Sequence, residues 1–262
     1  MRTSSNPAFR NLPRQGGYAT FDRGGMGAAY DAPYGVDLGR TGIAAERPIT
    51  IDDVVTKTGI CAAVAIVAGI LTAVSGAYVL ALPAFIVGFI VSLIVIFKQS
   101  TNPALVLTYS VAEGVALGGI AGFINTLYPG IAFQALIGTA GVFVGMLVVY
   151  KTGAVRVTPR FTKWLMGAMI GVVVLMLANL IAGFFIPGGL GLRDGGALAI
   201  IFSLVVIGVA AFSLLLDFDM ADEAIRSGAP AKFAWYVAFG LMTTMVWLYI
   251  EILRLLSYLR QE

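Results

Sequence analysis

The chemistry this 262-residue chain offers is that of acids placed among apolar side chains. Glu113 interrupts an otherwise charge-free stretch, Glu251 lies deep in the last apolar run, and Asp217 and Asp219 close the run before it. An Asp, Lys or Arg at the centre of a membrane helix costs about 2.5–3.5 kcal/mol, so intramembrane ionisable groups are functional candidates. Acids at a helix C-terminus also oppose the macrodipole, which leaves Asp217 and Asp219 without a local helical reason for their position. Two carboxylates close together in a poorly solvated site cannot both ionise cheaply, and so they share a proton. Protonated, such a pair ties its two helices together. Deprotonated, it repels itself and presents the hard oxygen ligands that calcium takes. Protons and a cation would then compete for one gate.

Simpler readings stand beside these. Arg254 follows Glu251 by three residues on the same helical face and can neutralise it. Asp217 and Asp219, continued by Asp222 and Glu223, can form a solvated helix end, and Glu113 can hydrogen-bond to a neighbouring helix. Trp235, Tyr236, Trp247 and Tyr249 suit interfacial or packing roles. Gly114, Gly118 and Gly122, at four-residue spacing, read first as a surface for close helix packing and only second as a ligand groove.

Much chemistry is excluded. The chain has no histidine and one cysteine. It can therefore form no internal disulfide, no His/Cys zinc site, no Ser-His-Asp or Cys-His nucleophile and no His-ligated haem. A pH sensor must be built from carboxylates, since imidazole is absent. Cys61, early in an apolar run, reads as a small buried hydrophobe. No Gly-x-x-x-x-Gly-Lys loop is present to bind ATP, and Leu192-Arg193-Asp194-Gly195 does not match the Gly-x-Gly-Asp element of membrane aspartyl proteases. The expectation is a non-enzyme without a cofactor. A net charge of +3 spread along the chain gives no footprint for nucleic acid.

The elements that must position these acids are membrane helices. Hydrophobic residues make up 59% of the chain and charged ones 12%, far below the roughly 25% charged of a soluble domain. Met1 to about Pro48 is rich in Gly, Ser, Asn, Pro and Arg without helical or strand period and reads as a disordered tail lacking the apolar core of an export signal. The predicted domains are thus a tail over 1–48 and a transmembrane domain over 49–262. Ile49 to Lys57 reads as a short interfacial helix capped by Thr50, with Asp52 and Asp53 in its first turn. Thr58 to Phe97 carries no charge and is twice the length of the about 20 residues one span needs, so two helices turn near Ser75 to Pro83. Ala104 to Tyr150 gives helices three and four around the Tyr-Pro-Gly turn at Tyr128. Trp164 to Ile186 gives the fifth span, Gly195 to Leu216 the sixth, and Phe233 to beyond Leu256 the seventh. Lys57, Lys98, the cations from Lys151 to Lys163, and Arg226 with Lys232 fall on one side, and the opposite loops hold only Arg193. The positive-inside rule makes the first side, with the N-terminus, cytoplasmic. Arg254 and Arg260 then sit against the rule, which leaves the last helix either partly inserted or overridden by packing.

Leu216-Asp217-Phe218-Asp219 and Trp247-Leu248-Tyr249-Ile250-Glu251-Ile252-Leu253 resemble the closing helices of the Bax inhibitor family, the transmembrane Bax-inhibitor-motif proteins, in its bacterial branch. Glu113-Gly114, Tyr128-Pro129-Gly130 and Arg156-Val157-Thr158-Pro159 strengthen the likeness, which covers Ile49 to the C-terminus and leaves the tail outside. The resemblance implies seven helices with the last surrounded by the other six. It also implies a pH-sensitive calcium leak in the bacterial inner membrane, with calcium as the permeant ion and the lipid bilayer as surroundings. By position it assigns the gating pair, and a transient calcium contact, to Asp217 and Glu251, where the family's usual pattern has Asp at the second place. Asp219 and Glu113 are candidates for the ion path and Arg254 for a charge partner. The alternative is a non-catalytic regulator of a membrane-bound AAA protease or of a stress response, with that protease as partner.

Overall fold

The computed structural model describes residues 47–261 and is all-helical there. Seven helices follow one another: α1 (Ile51–Val74), α2 (Ala81–Lys98), α3 (Pro103–Leu127), α4 (Ile131–Thr152), α5 (Pro159–Gly183), α6 (Ala197–Arg226) and α7 (Ala234–Leu259). All seven are long and apolar enough to cross a membrane. Single turns of 3-10 helix at Tyr78–Leu80 and Ala231–Phe233 lead into α2 and α7.

Local sequence explains the starts. Thr50 and Asp53 form a reciprocal capping box at the head of α1, satisfying two orphan backbone donors. Asn102 and Thr158 cap α3 and α5, each followed by a proline at a position where no backbone N–H is needed. The segment from Ile49 to Lys57 is therefore no separate interfacial helix, because nothing breaks the helix between the cap and the apolar run. The predicted tail lies outside the described residues as far as position 46. Its last two residues belong to the fold: Pro48 bridges Pro230, and Arg47 accepts from the Ala231 N–H at 2.9 Å.

The central helix is α7, which packs on α1, α3, α4 and α6, while α5 rests chiefly on α6 and α2 chiefly on α3. Half or more of the most apolar windows of α3, α6 and α7 is buried, against 11% for α5, so the bulky side chains of α5 face outward to lipid. The glycine stripe of α3 is a packing surface. A Cβ on Gly114 would strike the backbone of Ala65, one on Gly118 that of Gly69, and one on Gly122 would crowd Ala73, all on α1.

The last helix is long and apolar enough to cross a membrane without a break. Its 26 residues make it about 39 Å long, more than the about 30 Å hydrocarbon core. Lys57 donates to the Ala231 carbonyl at the head of α7, and Arg260 at its tail donates to Pro129 O and Gln134 Oε1 in the α3–α4 region. The chain's end thus lies opposite the end where α1 begins, and packing partners offset the charge of Arg254 and Arg260.

Candidate functional site

The sixth helix extends ten residues past its predicted end at Leu216, to Arg226. Asp217 therefore sits inside α6 rather than at its terminus, and the acids that follow are carried on the same helix. An Asp222–Arg226 ion pair at 2.9 Å, four residues apart, supports this last stretch.

Along α6, Asp217 and Asp219 point to different neighbours, as two residues separated by about 200° must. Thr244 Oγ1 of α7 donates to Asp217 Oδ2 at 2.6 Å. Tyr150 Oη of α4 lies 3.5 Å from Asp219 Oδ1 and 3.3 Å from Asp222 Oδ2. Asp217 opens on a cavity of about 330 Å³ between α5, α6 and α7, walled by Met169, Trp247 and Thr244. Asp219 and Glu223 line a second cavity of about 500 Å³ nearer the basic end, and Leu216 lies in the walls of both.

Glu251 is 2% exposed and holds two guanidiniums on one oxygen: Arg254 Nη1 at 2.6 Å and Arg193 Nη2 at 3.1 Å, both to Oε1. Among the described residues its buried Oε2 has no hydrogen-bond partner, and neither has Arg193 Nη1. Arg254 is the expected same-helix partner. Arg193 was not foreseen; it reaches in from the α5–α6 connection and lies 5.8 Å from the ring centre of Phe202.

Asp217 and Glu251 do not meet in this structure. Thr244, which holds Asp217, and Glu251 lie on one stripe of α7 seven residues apart, which is about 10 Å along the axis. The reason is visible in their partners: Asp217 is satisfied by a hydroxyl and Glu251 by two cations, so neither acid needs the other. Glu113 is also apart. It is 6% exposed, makes no hydrogen bond among the described residues, and presses its carboxylate against Gly88 of α2, where a Cβ would sit 3.0 Å from Oε1. The neighbour expected to hydrogen-bond to it is thus a glycine backbone that makes room for it. Cys61 is fully buried and free, and among the described residues no group of three or more acids or cysteines is arranged to hold a metal ion.

The family profile described as Bax inhibitor 1 like matches residues 6–261. The chain belongs to that family. The match begins in the tail, so the likeness is not confined to Ile49 onward; a stretch without helical period offers no spacing by which residues alone could reveal it. No curated protein matches the chain.

Proposed function

We propose that this Bax inhibitor 1-like membrane protein is a pH-sensitive cation leak, with calcium as the permeant ion, whose path follows α6 and α7. The observation that carries this reading is a series of acids: Asp219 and Glu223 in the cavity nearer the basic end, Asp217 in the next cavity with Leu216 between them, and the buried Glu251 two turns farther along α7. A bilayer offers no ligands to a bare ion, and spaced carboxylates replace water at successive steps. Asp217 gates because its bond to Thr244 ties α6 to α7, and an arriving cation competes with that hydroxyl and with a proton for the same oxygens. A protonated carboxyl does not ligate calcium, so the leak is present at alkaline pH and is lost as pH falls. The direct Asp217–Glu251 pair gives way here to two acids in series.

Purified protein in liposomes is expected to pass calcium faster at alkaline than at acidic pH. Asp217→Asn should move or abolish the midpoint, while Asp219→Asn should lower the rate at low ionic strength and leave the midpoint in place, because a charge at the mouth mainly steers. Flux equal to that of empty liposomes across the range would refute the leak, and it would favour the regulatory role beside a membrane protease.

We further propose a bacterial inner membrane, as the resemblance to the bacterial branch implies, and a cytoplasmic N-terminus, because Lys57, Lys98, Lys151, Arg156, Arg160, Lys163 and Lys232 gather at the end where α1 begins. A cysteine at Thr152 in a Cys61→Ala background should be labelled only after the cells are opened. Labelling of intact cells by an impermeant thiol reagent would reverse the orientation.

A further inference from the structure

We propose that Arg193 is a tethered cation that occupies the outer acid of the path, so that the α5–α6 connection is a lid and permeation past Glu251 requires Arg193 to withdraw. This rests on the leak reading above and adds a regulatory element to it.

Around Glu251 the charge balance opposes a free cation. One carboxylate faces two guanidiniums, leaving the local sum at +1, and a calcium ion cannot share Oε1 with both. Arg254 is fixed to the same helix as Glu251. Arg193 is the partner that can leave, since it stands on an irregular connection between Gly183 and Ala197. Four glycines there, Gly188, Gly189, Gly191 and Gly195, adopt positive φ. The backbone that delivers Arg193 is thus built from residues that change conformation at little steric cost.

The grip of Arg193 is incomplete. An Arg–carboxylate pair is strongest as a fork of two parallel bonds, and here only Nη2 and Oε1 meet, while the buried Nη1 and Oε2 have no partner among the described residues. Orphaned buried donors and acceptors in such a pair call for an explanation, and a contact made to be broken supplies it. The lid is held down by separate ties. Asn179 Oδ1, on the last turns of α5, accepts from the N–H groups of Leu190 at 3.0 Å and Leu192 at 3.3 Å, and Tyr258 Oη donates to the Arg193 carbonyl at 3.4 Å. Leu192 is itself buried against α5 and α6. These ties set the closed position without touching Glu251.

The full-length protein in liposomes provides the test, with two independent ways of opening the lid. Arg193→Gln removes the competing charge. Asn179→Ala keeps Arg193 and loosens the connection that delivers it. Both should raise the initial rate of calcium flux several-fold over the unchanged protein, and Arg193→Lys should hold the rate near its original value. Modification of Glu251 by a water-soluble carbodiimide with an amine nucleophile, read by peptide mass spectrometry, is the second readout. It should increase in Arg193→Gln and Asn179→Ala. Flux in the unchanged protein with no gain in either variant, and unchanged modification of Glu251, would overturn the lid and leave the leak standing. If no protein conducts, the leak fails, and the modification of Glu251 alone decides the lid: a rise supports it and no rise overturns it.

Discussion

Replacing Gly118 by alanine should cost about 3 kcal/mol or more of stability, the upper end of what overpacking does, because the new methyl meets the backbone of the neighbouring helix. The nearest atoms are the carbonyl oxygen, Cα and carbonyl carbon of Gly69, none of which can rotate away as a side-chain tip would. The seam is reciprocal: Gly69 approaches the Gly114 carbonyl, and Ala65 and Ala73 lie one turn to either side of it. Relief requires α1 and α3 to separate along their whole contact, and α7 packs on both. Gly171 of α5 is the control, since nothing lies within 4 Å of its Cβ position. Gly171→Ala should be neutral or stabilising by up to about 1 kcal/mol, from helix propensity alone. Thermal unfolding of the two variants in one detergent, followed by tryptophan fluorescence, separates them. Coincident midpoints would show that the glycine stripe does not set the α1–α3 distance.

That stripe was legible in the sequence, because small residues at four-residue spacing have a packing meaning inside a membrane. So were the seven spans and the cap at Thr50, where charge-free length and capping chemistry act locally. The length of α6 was not. Asp217-Phe218-Asp219-Met220-Ala221-Asp222-Glu223 looks like a solvated end when acids are counted, yet Met, Ala and Glu favour helix and Asp222 finds Arg226 one turn on. The partner of Asp217 was hidden for another reason: a threonine in an apolar run carries no signal of which helix it will face. Arg193 did leave a trace. It is the single cation in the loops opposite the basic end, and a lone charge in a charge-poor loop beside a span holding a buried acid is a pairing that sequence separation conceals. Which helix is central came from the family resemblance, since composition does not rank the helices by burial. The runs of α2 and α5 turn outward and the helices carrying Glu113, Asp217 and Glu251 turn inward, although α6 is more apolar than α5.

Neutralising Glu251 should be far more damaging than neutralising Asp217, although both are acids on facing membrane helices. Glu251→Gln leaves Arg193 and Arg254 beside each other without a countercharge, and the side chains of these arginines are only 23% and 29% exposed. Breaking a buried ion pair from one side costs about 3–5 kcal/mol; the residual hydration of both guanidiniums places the expected loss near the lower figure. Asp217→Asn keeps its main contact, because the Thr244 hydroxyl can still donate to an amide oxygen, so its cost should stay within about 1 kcal/mol. The ion-pair account makes a further demand. Adding Arg193→Gln to Glu251→Gln removes one of the two stranded charges, so the double variant should be more stable than the two single losses summed, with a coupling of about 1 kcal/mol or more. Denaturation of the four proteins in the same detergent closes that cycle. Additive losses would mean that Glu251 is held by its apolar surroundings rather than by Arg193. An Asp217→Asn loss as large as that of Glu251→Gln would move the structural weight of the α6–α7 contact to Thr244.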